Sequence, residues 1–423
     1  MRPAGGLRCL STRPRPVPFT QGTRARWSIE RTYVIARTAF VSTYPPRQCG
    51  IATFTHHLAA AMGEREIVVL LPPERGVPYP LEVHHRIRRD ERADYGQAAR
   101  AVTGCVDVVS IQHAYGIWGG DDGEYVLDFV RSLDVPAVAT LHTVLATPTP
   151  RQRAILTELI AGVAATVVMS KSAAKLLTTA YGIPARRVDV IPHGVPDLPL
   201  ADPAAIKSGL GLDGRQVILS FGLVGPDKGY ELAIDALPAI AAAHPAVQYV
   251  IVGATHPDLL AREGESYRAS LVARVKSLGM TGHVQFVDRF VGRVELTRWL
   301  HAADVVVTPS PNLDQTHSGP LSYAMGAGRA VVSTPYAYAT EYLADGRGVL
   351  IPAGSSAGLA TALNELLDNV NLREAIGRKA YAYTRKMVWS TVGADYRRLF
   401  DRVGTAAPVA ALETPLGMAA FNA

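Results

Sequence analysis

From residue 33 onward the chain alternates short runs rich in β-branched residues with longer stretches whose apolar residues recur at helical spacing. That alternation leaves few folds open to it. The runs "YVIART" with "AFVS", "IVVLL", "VDVVSIQ", "AVATL", "TVVMS" and "VDVIP" are predicted strands, with helices near 51–62, 94–104, 121–133, 151–162 and 171–181 between them. Strands joined through helices run parallel, and a parallel sheet buries both faces under those helices. A second series follows: "QVILSFG", "VQYVIVG", "VQFVD", "DVVVTPS" and "AVVST", with helices near 230–243, 266–278, 294–303, 319–327 and 357–368. Between the two lies "IPHGVPDLPLADP", residues 191–203, where four prolines and a loss of periodicity mark a linker. The expected fold class is α/β: two doubly wound parallel-sheet domains in tandem.

Composition agrees with that reading and removes several function classes. A chain of 423 residues, 48% hydrophobic and 19% charged, can bury a large core unaided. Cys9, Cys49 and Cys105 are odd in number and show no CxxC spacing, which indicates neither a disulfide framework nor a structural zinc site. A reducing, cytoplasmic compartment is expected. The formal charge of +6 resides entirely in residues 1–32, where seven arginines face Glu30 alone. The globular part is formally neutral and makes no electrostatic case for a nucleic-acid partner. Residues 1–32 lack the apolar core of a signal peptide; their composition suits an organelle transit peptide or, the preferred reading, a disordered basic arm. No run approaches the ~18 apolar residues that a transmembrane helix needs, so any membrane contact would be peripheral. Residues 371–402 look helical, and 404–423 read as a mobile tail.

Open α/β sheets bind ligands beyond the carboxyl ends of their strands, so the residues there are the candidates for chemistry. After the first strand, "STYPPRQCGIATFTHHL" turns at Gly50 into an amphipathic helix whose first N–H groups suit an anion or a sugar hydroxyl. No GxGxxG is present, which argues against a dinucleotide-dependent dehydrogenase. His113 and His142 end strands and are expected to face the cleft, where neutral imidazole can bond a hydroxyl. In "FGLVGPDKGYELAIDAL", Gly222, Gly225 and Gly229 loosen a loop, Lys228 supplies a point charge, and the helix from Tyr230 presents its positive end. That combination suits phosphate oxygens, although it is no Walker A motif. In "NLDQTHSGPLSYAMGAG", Ser318 is a helix N-cap, and the N–H groups of residues 318, 319 and 321 are expected to face the cleft. Asp314 and Gln315 precede the cap, and Tyr323 lies one turn inside. Glu341 either reaches the same edge or caps a following helix.

The motifs "TYPPRQCGIATFTHHL", "VPAVATLHT", "VVMSKSAAKLL", "VIPHGV", "FGLVGPDKG", "HAADVVVTPS" and "SYAMGAGRAVVSTPYAYATEYLADGRGVLIP", taken in this order, resemble glycosyltransferase family 4. These are retaining nucleotide-sugar transferases of the GT-B fold, two Rossmann-like domains facing across a cleft. The first and last stretches resemble a mannosyltransferase-like subgroup. The resemblance implies an N-terminal acceptor-side domain (33–195), a C-terminal donor-side domain (196–385), and a helix (386–403) returning to the first. It implies transfer of a sugar, mannose by the subgroup's likeness, from a nucleotide-diphosphate donor to a glycan, lipid-linked or small-molecule hydroxyl acceptor. Neither a metal nor a cofactor beyond the nucleotide-sugar co-substrate is implied.

By the same resemblance, Lys228 matches a diphosphate-binding lysine, His142 a histidine beside the reacting carbon, and Gly50 a turn near the donor phosphates. His113 remains a candidate on the acceptor side. Gly222, Ser318, Gly319, Gln315 and Tyr323 complete the donor set, with His142, Lys228 and Gln315 as the catalytic candidates. The chain departs from the family pattern at Leu223, where an arginine is usual, and at Gln315 and Tyr323, which replace the two glutamates of an E-x7-E pair. Glutamine cannot offer a carboxylate's charge-assisted acceptance, and tyrosine has one hydroxyl where a carboxylate holds two ribose oxygens. These departures leave two alternatives open: a non-catalytic GT-B protein that binds a nucleotide sugar or glycan, and a nucleotide-sugar epimerase.

Overall fold

The computed structural model describes residues 36–63, 66–71 and 78–404; the expected arm (1–32) and all but the first residue of the expected tail lie outside the described residues. Two parallel sheets carry the fold. The first contains β1 (Thr38–Ser42), β2 (Glu66–Leu71), β3 (Val83–Arg88), β4 (Val108–His113), β5 (Ala137–Leu141), β6 (Ala165–Val168) and β7 (Val188–Val190). The second contains β8 (Gln216–Phe221), β9 (Val247–Val252), β10 (Val284–Val287), β11 (Val305–Thr308), β12 (Ala330–Ser333) and β13 (Val349–Leu350). Their orders are β3-β2-β1-β4-β5-β6-β7 and β10-β9-β8-β11-β12-β13. Each order reverses beside its first strand, which opens a crevice at the carboxyl ends of β1 and β4 and of β8 and β11.

The period-2 geometry of a strand explains why these runs are apolar throughout. In β1, Ala39 and Val41 enter one core with Val68 and Val109, while Phe40 enters the opposite core with Ile67 and Val108. In β8, Val217, Leu219 and Phe221 face one side and Ile218 the other.

The structure differs from the sequence expectation at several elements. β3, "VHHRIR", is a strand without an apolar run: Val83, His85 and Ile87 are buried and alternate with exposed residues. The expected helix over 121–133 contracts to a 3-10 turn, Asp121–Gly123, and a short helix, Val126–Arg131. Gly120 and Gly123, at φ 78° and 77°, hold backbone conformations that an α-helix cannot use. The helices Pro203–Lys207, Pro257–Glu263 and Ala337–Tyr342 are too short for their periodicity to stand out.

The chain crosses between domains twice at one place. Val195 donates its N–H to Met387 O at 2.8 Å and accepts from Trp389 N–H at 3.0 Å. The helix Trp389–Gly404 then packs in the first domain's core, with Phe400 edge-on to Phe40 at 6.2 Å and Tyr396 Oη 3.1 Å from Thr140 Oγ1. Gly393 allows this approach, since a Cβ there would lie 2.9 Å from Ala61 Cβ.

Candidate active site between the domains

The register of β4 and β5 pairs His113 with Leu141, so His142 emerges beside β4 and donates its backbone N–H to His113 O at 2.8 Å. The His142 ring donates from Nε2 to Gln112 Oε1 at 2.8 Å, and Gln112 Nε2 donates to Ser110 Oγ at 3.1 Å. This chain orients the imidazole and leaves Nδ1 as its acceptor. Burial, reinforced by His317, His193 and His113, holds His142 well below the ordinary imidazole value. It is a neutral hydrogen-bonding group near pH 7.

His113 was expected to face the cleft. It is instead fully enclosed, with the ring of Tyr115 packed edge-on at 5.2 Å and neither ring nitrogen partnered among the described residues. Burial lowers it to about 4.

Three histidines not singled out from the sequence complete the cluster. His317 lies 5.6 Å from His142, ring centre to ring centre, and is lowered to about 3 by burial, His193 and the nearby charge of Lys228. His193 donates Nδ1–H to Gly194 O at 2.8 Å and is lowered to about 4 by burial. His57, on the helix Gly50–Met62, sits 3.0 Å through Nδ1 from Tyr323 Oη and is lowered to about 4 by burial and by His56, Arg293 and His193. Phe54 joins the group from the same helix, edge-on to His142 at 4.9 Å, His193 at 5.2 Å and Trp389 at 5.2 Å. The sequence signals were the "THH", "PHG" and "THS" triplets, each beside a turn or on a helix facing the cleft. Without the fold, nothing there distinguishes them from solvated histidines.

In the second domain, β8 and β9 end in register, and Gly222 (φ 121°) meets Gly253 so closely that a Cβ on Gly253 would lie 1.8 Å from Gly222 O. Lys228 is about one-third exposed and pairs with Asp227 at 2.5 Å, and its charge reaches His317. Gln315 donates Nε2–H to His317 O at 2.7 Å and accepts from Ser310 Oγ at 3.2 Å through Oε1. Lys228, His317, His142 and Gln315 are therefore brought together.

The helix Gly319–Gly326 opens on the same side. Ser318 caps it, but its Oγ accepts from Leu321 N–H at 3.3 Å, so the expectation that Leu321 N–H faces the cleft is not met. Gly319 lies against His193, whose Nε2 would be 3.3 Å from a Cβ there. Tyr323 is buried and engaged with His57 across the domains, and burial raises it to about 12. Gly50, exposed at the start of its helix, has open space around its missing Cβ. Asp314 is exposed.

Glu341 does not cap a following helix, as one alternative had it; it caps an earlier helix, in the other domain. Its carboxylate accepts from Lys171 N–H at 3.0 Å and Ser172 N–H at 2.9 Å, at the start of the helix Lys171–Tyr181. Ser170 Oγ donates to Thr316 O and Tyr342 Oη to Met169 O, each at 2.8 Å, in the same seam. Among the described residues, no three His, Cys, Asp or Glu side chains converge as metal ligands, and no helix is long and apolar enough to cross a membrane.

A neutral imidazole cluster beside one lysine and one helix start can orient hydroxyls and receive an anion.

Residues 204–383 match the family model described as glycosyl transferases group 1, and residues 49–197 match that described as glycosyltransferase family 4. The phosphatidyl-myo-inositol mannosyltransferase of Mycolicibacterium smegmatis is 29% identical over 223 residues, 51% of this chain and 52% of that protein. The D-inositol 3-phosphate glycosyltransferase of Jonesia denitrificans is 28% identical over 301 residues, 65% of this chain and 68% of that protein. The chain thus spans about half the length of the first of these and two thirds of the second. Among solved structures, Anabaena HepE in complex with UDP and glucose superposes with a TM-score of 0.71 at 17% identity, covering 86% of this chain and 100% of that one. The sucrose-phosphate synthase of Thermosynechococcus elongatus gives 0.70 at 16%, covering 88% and 100%.

Proposed function

This chain belongs to glycosyltransferase family 4 and has the GT-B fold, and from that premise we propose that it is a retaining transferase moving a sugar, with mannose the first candidate, from a nucleotide-diphosphate donor to a hydroxyl acceptor. The observation that carries the reading is the meeting of Lys228, His317, His142 and the start of the helix Gly319–Gly326 between the two sheets. In the proposed step the bond from the sugar's anomeric carbon to the β-phosphate oxygen breaks, and its electron pair leaves with the diphosphate. Lys228 and the N–H of Gly319 stabilise that charge as it develops. The acceptor hydroxyl bonds the same carbon from the leaving-group side and passes its proton to the departing phosphate oxygen. His142 and Gln315 hold the sugar hydroxyls, which keeps the reacting atoms aligned.

Charge balance without a metal ion, a cytoplasmic location and at most peripheral contact with a membrane are parts of this proposal. The acceptor is a glycan, a lipid-linked sugar or a small hydroxyl compound. The named relatives, a mannosyltransferase and a D-inositol 3-phosphate glycosyltransferase, support the reaction class.

One observation favours a second reading, a GT-B protein that binds its nucleotide sugar without turnover: Tyr323, at the usual ribose-binding position, is occupied by His57. A panel of UDP-, GDP-, ADP- and TDP-sugars with hydroxyl acceptors separates the two. Transfer or donor hydrolysis that is lost in Lys228→Ala and His142→Ala, with the fold intact, supports the transferase. Binding with no turnover across the panel sinks it.

A further inference from the structure

The four histidines of the cleft are engaged unequally. His142 is bonded to Gln112 Oε1 at 2.8 Å, His193 to Gly194 O at 2.8 Å and His57 to Tyr323 Oη at 3.0 Å. His317 differs: among the described residues nothing hydrogen-bonds its ring, which is half-buried and not enclosed as His113 is. Its backbone, by contrast, is held on both sides. Gln315 donates Nε2–H to His317 O at 2.7 Å, Ser170 Oγ donates to Thr316 O at 2.8 Å, and Ser318 caps the helix that follows. A ring carried on fixed backbone with both nitrogens unengaged is placed for a ligand, because an imidazole that serves packing alone ordinarily finds a protein partner.

The groups that face this ring decide the ligand's charge. His142 packs edge-on from the first domain at 5.6 Å, His193 acts from the linker, and Lys228 acts from the loop after β8. Lys228 is itself paired with Asp227 at 2.5 Å, so that pair brings no net charge, and the three histidines are neutral near pH 7. Beside them the helix Gly319–Gly326 presents its positive end. The empty cleft thus offers a diphosphate one lysine already shared with a carboxylate. With no anion present, burial, His193 and Lys228 lower His317 to about 3. A negative charge about 4 Å from an imidazole raises it by about three pH units at the effective dielectric of a protein. The charges of a bound diphosphate are therefore enough to carry this ring into the neutral range.

We propose that His317 is a catalytic residue: its imidazole takes up a proton from water as the donor binds, and the imidazolium bonds the diphosphate while the bond to the sugar breaks. The proton stays on the ring through that step, since the acceptor's own proton goes to the departing phosphate oxygen, and it returns to water when the diphosphate leaves. The proposal rests on the transferase reading for the donor, but donor binding reports it without turnover.

The full chain is titrated with whichever of UDP-, GDP-, ADP- and TDP-sugars binds most tightly, since the diphosphate of a nucleotide sugar keeps its charge between pH 6 and 8. NMR of ring-labelled histidine shows His317 neutral at pH 6.5 in the free protein and protonated once the donor is bound. Calorimetry in buffers of different ionisation enthalpy shows the matching proton uptake. A ring raised on binding favours the complex at pH below its bound-state value, so affinity increases as pH falls from 8 to 6, by up to about tenfold per pH unit. His317→Gln, which stays polar and cannot take a charge, removes the uptake and the pH dependence and leaves affinity at pH 6 about tenfold lower. At saturating donor it also lowers kcat about tenfold, because the leaving group's charge grows as the bond breaks. Leu223→Arg in that background adds a permanent cation to the loop of Lys228 and restores affinity without restoring the pH dependence. A ring that stays neutral with donor bound, or uptake and pH dependence unchanged in His317→Gln, overturns the inference and leaves the transferase reading standing. Proton uptake as stated, with no donor transferred or hydrolysed, overturns the transferase reading and reduces His317 to a donor-binding group. Failure of every donor to bind overturns both.

Discussion

At the scale of single residues, the site is built from groups that sequence comparison would discount. Gln315 and Tyr323 stand where a pair of carboxylates is usual, and each has a definite partner, the His317 carbonyl and the His57 ring. Tyr323 is the more informative, because one hydroxyl cannot serve His57 and a ribose with the same bond. Tyr323→Phe removes only that hydroxyl. It should cost about 1 kcal/mol of stability, the net worth of one hydrogen bond, read as a lower denaturation midpoint. If the phenol also reaches the donor, the donor KM rises severalfold with kcat little changed; an unchanged KM assigns the hydroxyl to domain contact only. His142 and Lys228 stood out in the sequence from strand ends and glycine spacing. His57, His193 and His317 did not, because a histidine's burial depends on what the other domain places against it.

At the scale of elements, the helices Lys171–Tyr181 and Ala337–Tyr342 meet end to side through Glu341. A carboxylate at a helix start satisfies N–H groups that have no partner within the helix and is favoured by the helix's positive end. Glu341→Ala should destabilise by about 1–3 kcal/mol, the range for charge-assisted bonds. Hydrogen exchange should speed up at residues 171–173 before it does in β4 or β5. Uniform acceleration across both domains would show that the contact matters to the whole fold and not to this seam. Most elements were legible because parallel strands are apolar along their whole length and helices keep their period. β3 was not, because an edge strand with one solvent face looks polar. The helix Ala337–Tyr342 was not, because six residues are too few to show a period.

At the scale of the whole molecule, the two domains close on neutral histidines. Native His193 and His57 titrate at about 4 and His317 at about 3, whereas an unfolded histidine does so near 6.5. Below pH 6.5 the unfolded chain therefore binds protons that the native state refuses. The stability these groups confer is whole above about 6.5 and is lost as pH falls toward 4, at up to about 1.4 kcal/mol per pH unit for each buried histidine. Thermal midpoints measured from pH 7.5 to 4.5 should fall with increasing steepness below 6.5, and less steeply in His193→Gln. A flat profile between 6.5 and 5 would mean that these rings are hydrated in solution.

By itself the sequence determined two tandem parallel-sheet domains, the linker between them and the family, because alternation, proline clustering and motif order are local properties of the chain. Only the tertiary structure decided that His113 is enclosed and that Tyr323 and Glu341 bridge the domains. Those facts depend on contacts between residues far apart in sequence, and no spacing along one strand or helix encodes its partner.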